Sequence, residues 1–138
     1  MKTTLIPVLS ALLLAVAACS EQTDPQVEVQ GTVTWNGAPL SDGRLRFVPK
    51  SASPEPERMT RVLDGRFCIA GKFGLSPGRY RVEITAFRDA AAPRLDDGLP
   101  ETPVPLQEQF IPARWNSDSE LTIDVPQTSS AEFDFDLE

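Results

Sequence analysis

Apolar residues recur at every second position of this chain in short runs, and the runs are closed by glycine, proline or asparagine. Tyr80, Val82, Ile84 and Ala86 alternate with Arg79, Arg81, Glu83 and Thr85, as in a strand with one face in a core and the other in water. The same period marks Val27, Val29, Val33 and Trp35, then Leu45 and Phe47, and then Leu121, Ile123 and Val125. It closes the chain, where Phe133, Phe135 and Leu137 alternate with Glu132, Asp134, Asp136 and Glu138. A period of two does not make an apolar stripe on a helix. The chain from Val27 onward is therefore expected to be sheet.

The punctuation agrees with the period. Asn36-Gly37 and Asp64-Gly65 tolerate positive φ and predict two-residue turns, the second joining 59–63 to 66–70 as a hairpin. Leu75-Ser76-Pro77-Gly78 predicts another turn, and Gly31, inside the first run, predicts a bulge. Ala90 to Pro112 holds Pro93, Pro100, Pro103, Pro105 and Pro112, each lacking a backbone donor, so no regular element is expected there. About seven short strands with frequent turns predict one all-β domain over 27–138, a single seven-stranded antiparallel β-sandwich.

The first residues follow a different pattern. Lys2 is followed by an uncharged apolar run from Leu5 to Ala18, and Val16-Ala17-Ala18 leads directly into Cys19. This resembles a bacterial lipoprotein signal peptide, whose cysteine is acylated and becomes the new N-terminus. The resemblance implies a cleaved segment over 1–18, lipidation at Cys19 and a polar tether over 19–26. It also implies that membrane lipid is a partner through the acylated cysteine and that the domain is exported to the cell envelope. Ser20, in place of Asp after the cysteine, favours the outer membrane over the inner. The uncharged stretch from Thr3 to Ser20 sits at the lower edge of bilayer-spanning lengths, so the expected anchor is acyl chains and not a transmembrane helix.

The chain has 13 basic and 20 acidic side chains and no histidine, a net charge of −7. A surface of that sign does not neutralise phosphates, which argues against a nucleic-acid partner. It is also repelled by anionic headgroups, leaving the acyl chains to hold the protein at the membrane. Without histidine there is no Ser-His-Asp or Cys-His catalysis and no imidazole ligand for zinc. Carboxylates remain, at Glu132, Asp134, Asp136 and Glu138 on one face of the last strand, and at Asp96, Asp97, Asp118 and Asp124. Their spacing matches no calcium loop. No catalytic residue, metal or cofactor is therefore expected, and the chain is not expected to be an enzyme, with an envelope enzyme of unrecognised type as the further alternative.

Once Cys19 is lipidated, Cys68 is the remaining cysteine. Within Arg66-Phe67-Cys68-Ile69-Ala70 it is expected to behave as a small buried hydrophobe, in a domain without a disulfide. Trp35 ends an inward-facing run and is expected in the core. Trp115 lies between Arg114 and Asn116 in a polar turn region, and these three residues form the candidate binding surface, with a glycan or an envelope protein as ligand. The other reading of Trp115, and the preferred one, is a packing plug under the long proline-rich loop.

Val29-Gln30-Gly31-Thr32-Val33-Thr34-Trp35-Asn36-Gly37-Ala38-Pro39-Leu40, followed by Gly43 and Phe47, resembles the opening of small bacterial lipoproteins with a carboxypeptidase-regulatory-like, or transthyretin-like, domain. Gly65-Arg66-Phe67, Leu75-Ser76-Pro77-Gly78-Arg79-Tyr80-Arg81-Val82 and Ile111-Pro112-Ala113-Arg114-Trp115-Asn116 resemble its later signatures, with Trp115 where tyrosine is more usual. The resemblance implies a prealbumin-like sandwich that serves as an accessory or interaction module. Its motifs are turn residues and core residues, which specify fold and not chemistry.

Overall fold

The computed structural model describes residues 25–50, 55–90 and 106–138. The expected cleavage site and Cys19 lie outside the described residues, as does the tether up to residue 24. The described residues form β1 (Glu28–Trp35), β2 (Ala38–Pro39), β3 (Asp42–Pro49), β4 (Arg58–Leu63), β5 (Arg66–Ile69), β6 (Gly78–Thr85), β7 (Phe87–Ala90), β8 (Leu106–Gln109), β9 (Thr122–Val125) and β10 (Ser130–Leu137). Two single 3-10 turns, Gly71–Phe73 and Ala113–Trp115, complete the set, and no α-helix occurs among the described residues.

The main sheet runs β10-β1-β5-β4-β3-β6-β9, with β2 folded back on β1, while β7 and β8 form a separate ribbon. Its pairings are antiparallel except that of β1 with β10, which is parallel from Glu28 opposite Ser130 to Trp35 opposite Leu137. The expected alternation is realised strand by strand. Tyr80, Val82, Ile84 and Ala86 are buried, as are Val29, Val33, Leu45, Phe47, Val62, Phe67, Ile69, Ile123, Val125, Phe135 and Leu137, and all belong to a single core. Trp35 is half-buried and packs against that core, with its ring edge-on to Phe110 at 6.1 Å between centroids.

The sheet is curled around this core. Strands two apart in a flat sheet stand about 9.6 Å from one another. Yet Phe67 of β5 lies 5.8 Å from Phe135 of β10 and 6.3 Å from Phe47 of β3, centroid to centroid, so the three rings lean together over a concave face.

Both two-residue turns form as their sequences dictate. Asn36 and Gly37 have φ of 50° and 79°, and Asp64 and Gly65 have φ of 49° and 74°. That pair of positive values twists in the same sense as the strands it joins. Gly31, by contrast, is not a bulge. Register runs through it unbroken, opposite Phe133 on one side and Phe67 on the other. A Cβ at residue 31 would stand 1.7 Å from the carbonyl oxygen of Phe133, so this glycine permits close backbone approach of β1 and β10.

The expectation of no regular element between Ala90 and Pro112 also fails, at β8. Four of the five prolines fall at or before Pro105, and Leu106 to Ile111 contains none. That stretch keeps its backbone donors and pairs with β7, from Phe87 opposite Gln109 to Ala90 opposite Leu106.

Candidate functional site

On β5 the period of two puts Phe67 and Ile69 inward, which forces Arg66 and Cys68 outward. Cys68 is therefore exposed, which corrects the expectation of a buried thiol. The preference of free cysteine for burial is overridden because both of its neighbours are larger apolar residues claiming the inner face. With Gln30, Thr32, Arg61, Arg66 and Glu132, Cys68 lines an open groove of about 620 Å³ on the outer face of the sheet. Arg61 is held in a forked ion pair, its Nε 3.0 Å from Asp42 Oδ1 and its Nη2 2.8 Å from Oδ2. Hydrogen bonding to this guanidinium holds the Asp42 carboxyl below the usual aspartate range.

The acidic face of β10 is exposed as expected. Two of its carboxylates are engaged by β1, because the parallel register sets Asp134 beside Thr32 and Asp136 beside Thr34. Asp134 Oδ1 accepts hydrogen bonds from the Thr32 hydroxyl at 2.7 Å and the Thr32 N–H at 3.1 Å, and the Thr34 hydroxyl donates to Asp136. Asp124 is paired with Arg79 at 2.9 Å. Among the described residues no three histidine, cysteine or acidic side chains converge as a metal site, and Asp96 and Asp97 lie outside them.

The 3-10 turn Ala113–Trp115 positions the candidate binding surface. Trp115 is half-buried, packs against the core and donates from Nε1 to the Glu138 carbonyl at 3.4 Å. The Arg114 guanidinium lies 5.4 Å from the centre of its ring. Both line an open depression of about 400 Å³ with Asp118, Glu120 and Leu121. Asn116 turns back into its own loop, with Nδ2 donating to the carbonyls of Ile111 at 2.9 Å and Pro112 at 3.0 Å and Oδ1 accepting from the Ser117 N–H at 2.6 Å. The buried Ser119 hydroxyl donates to the Val82 carbonyl and fastens this loop to β6. The structure thus brings Arg114 and Trp115 together at the surface and gives Asn116 to the loop.

A third cluster forms where the chain enters the sheet. The buried Tyr80 donates its hydroxyl proton to the Ser76 carbonyl at 3.0 Å. Ser76 Oγ donates to Glu55 at 2.9 Å and accepts from Gln26 Nε2 at 3.2 Å. Burial, and then the negative charge of Glu55, push the Tyr80 phenol above its ordinary range.

Neither the groove around Cys68 nor the cluster around Ser76 is among the sites expected from the sequence. Alternation through Arg66-Phe67-Cys68-Ile69 carried the signal for the first, whereas the second joins residues from separate loops. No protein-family model, curated protein or solved structure matches the chain.

Proposed function

We propose that this protein is a lipid-anchored β-module of the bacterial cell envelope with a non-enzymatic binding or structural role. The observation that carries the proposal is the run Val16-Ala17-Ala18-Cys19 after an uncharged apolar segment, followed by a polar stretch up to the first strand. No helix among the described residues is long and apolar enough to cross a membrane. The curled sheet, with seven strands in its main path, is compatible with the transthyretin-like sandwich that the turn and core motifs resemble. We include that fold type and outer-membrane residence in the proposal. Within it, Trp115, packed against the core, serves as the plug of its loop; the second reading makes the depression beside Arg114 and Trp115 the place for a glycan or protein ligand, because a half-exposed indole supplies a flat apolar surface next to polar groups.

The test is Cys19→Ala in the full chain. The variant is expected to incorporate no radiolabelled palmitate and to be either unprocessed or released from membranes. Continued labelling and membrane fractionation would refute the lipid anchor.

A further inference from the structure

The chain enters the sheet beside an exposed aromatic residue. Val27 donates its N–H to the Leu75 carbonyl at 2.7 Å and accepts from the Leu75 N–H at 3.0 Å. This bridge clamps the Gly71–Phe73 turn next to the start of β1, since Phe73 lies only two residues before Leu75. Gly74 is pressed against the same point, where a Cβ would stand 2.6 Å from the Val27 carbonyl oxygen. Phe73 is nevertheless 58% exposed. The Lys72 ammonium sits 5.1 Å from the centre of its ring. Lys50, the other lysine of the described residues, follows β3 at this same end, its N–H bonded to the Arg79 carbonyl at 2.9 Å.

We propose that Phe73 and Lys72 form a membrane-contact site, the ring seated at the bilayer interface and the ammonium directed to headgroup phosphates. The proposal rests on the lipid-anchor reading. Cys19 lies eight residues before Val27, and eight residues span at most about 29 Å even when fully extended. The bilayer surface is therefore held within reach of the end of the domain that carries Phe73. An aromatic ring with a cation beside it suits that interface, because the ring takes the apolar side and the ammonium reaches the headgroups. Glu28 and Glu55 lie at this end as well, so the contact depends on the ring and the tether more than on net charge.

The two native tryptophans make the test specific. Trp35 ends β1, and Trp115 is bonded to Glu138 just beyond the end of β10, so both indoles stand at the end of the sheet away from Val27. The full chain carrying Phe73→Trp is to be produced in a bacterium that processes lipoproteins. It is then reconstituted into phosphatidylethanolamine–phosphatidylglycerol vesicles with brominated acyl chains, with the mass of the Cys19 peptide recorded. The expected result is loss of emission from the added indole, beyond any loss in the wild-type protein, and its partial recovery when Lys72→Glu is combined with it. Acylated, vesicle-bound Phe73→Trp protein quenched no more than wild type overturns the contact and leaves the anchor standing. A Cys19 peptide without acyl chains overturns both. A blue shift that grows with protein concentration, without quenching by brominated lipid, assigns the ring to a second copy of the chain and overturns the membrane contact.

Discussion

Tyr80 is the one tyrosine in the chain, so phenolate absorbance reports it alone. Its proton is held more tightly in the folded state, first by burial and then by the charge of Glu55. An acid whose folded pKa lies above its unfolded value contributes stability that is intact below the unfolded pKa, about 10 for tyrosine, and lost as pH rises through the folded pKa. The native phenol is expected to ionise above pH 10 and the denatured one near 10, with the denaturant midpoint falling across that alkaline interval. A native titration at or below the denatured one would show that burial does not govern this group. Cys68 gives the complementary case at a surface position. Its thiol is expected to react with a labelling reagent at nearly the same rate in folded and denatured protein, and Cys68→Ser is expected to change stability by less than about 0.5 kcal/mol. Strongly protected labelling of the native protein would return Cys68 to the interior. Both roles were half-visible in the sequence. The inward position of Tyr80 follows from alternation, but its partner, the Ser76 carbonyl, is set by the path of a loop.

At the scale of elements, the pairing of β1 with β10 is the feature with the least local signal. The partners are far apart in sequence, and no turn between them fixes direction or register. What fixes them is a close approach at Gly31 and a ladder in which Thr32 meets Asp134 and Thr34 meets Asp136. Gly31→Ala is expected to cost about 3 kcal/mol or more in denaturant unfolding, because the added methyl would have to push the Phe133 carbonyl and its strand away. Gly37→Ala is the control. Nothing lies within 4 Å of a Cβ there, so only the positive φ is penalised, at about 1 kcal/mol. Equal costs at the two positions would rule out the close approach. The acidic outward side chains of β10 also guard an edge of the sheet, since Glu132, Asp134, Asp136 and Glu138 discourage another strand from pairing there. The hairpins at Asn36-Gly37 and Asp64-Gly65 were legible because their information is confined to two residues. The β7–β8 ribbon was not, because the prolines of the preceding loop masked a short proline-free strand.

The whole molecule is held by a core to which seven strands contribute, and Phe67 stands at its centre between Phe47 and Phe135. Phe67→Ala is expected to cost about 3–5 kcal/mol and to leave unfolding as one cooperative transition, since β3, β5 and β10 lose a shared partner together. Separate transitions for the two sides of the sheet, measured by near- and far-ultraviolet circular dichroism, would show that the curl does not unite them. The sequence by itself determined that the chain is β-rich, which side chains of most strands face inward, where two hairpins turn, and that no histidine is available to any site. These properties depend on residue type and on a period of two, and both are local. The tertiary structure alone decided the strand order, the parallel closure of β1 on β10, the groove that gathers Cys68, Arg61 and Glu132, and the placing of Phe73 beside the point where the chain enters. Each of these joins residues distant in sequence, and their juxtaposition depends on how the sheet curls to bury its apolar face, which no short window of sequence contains.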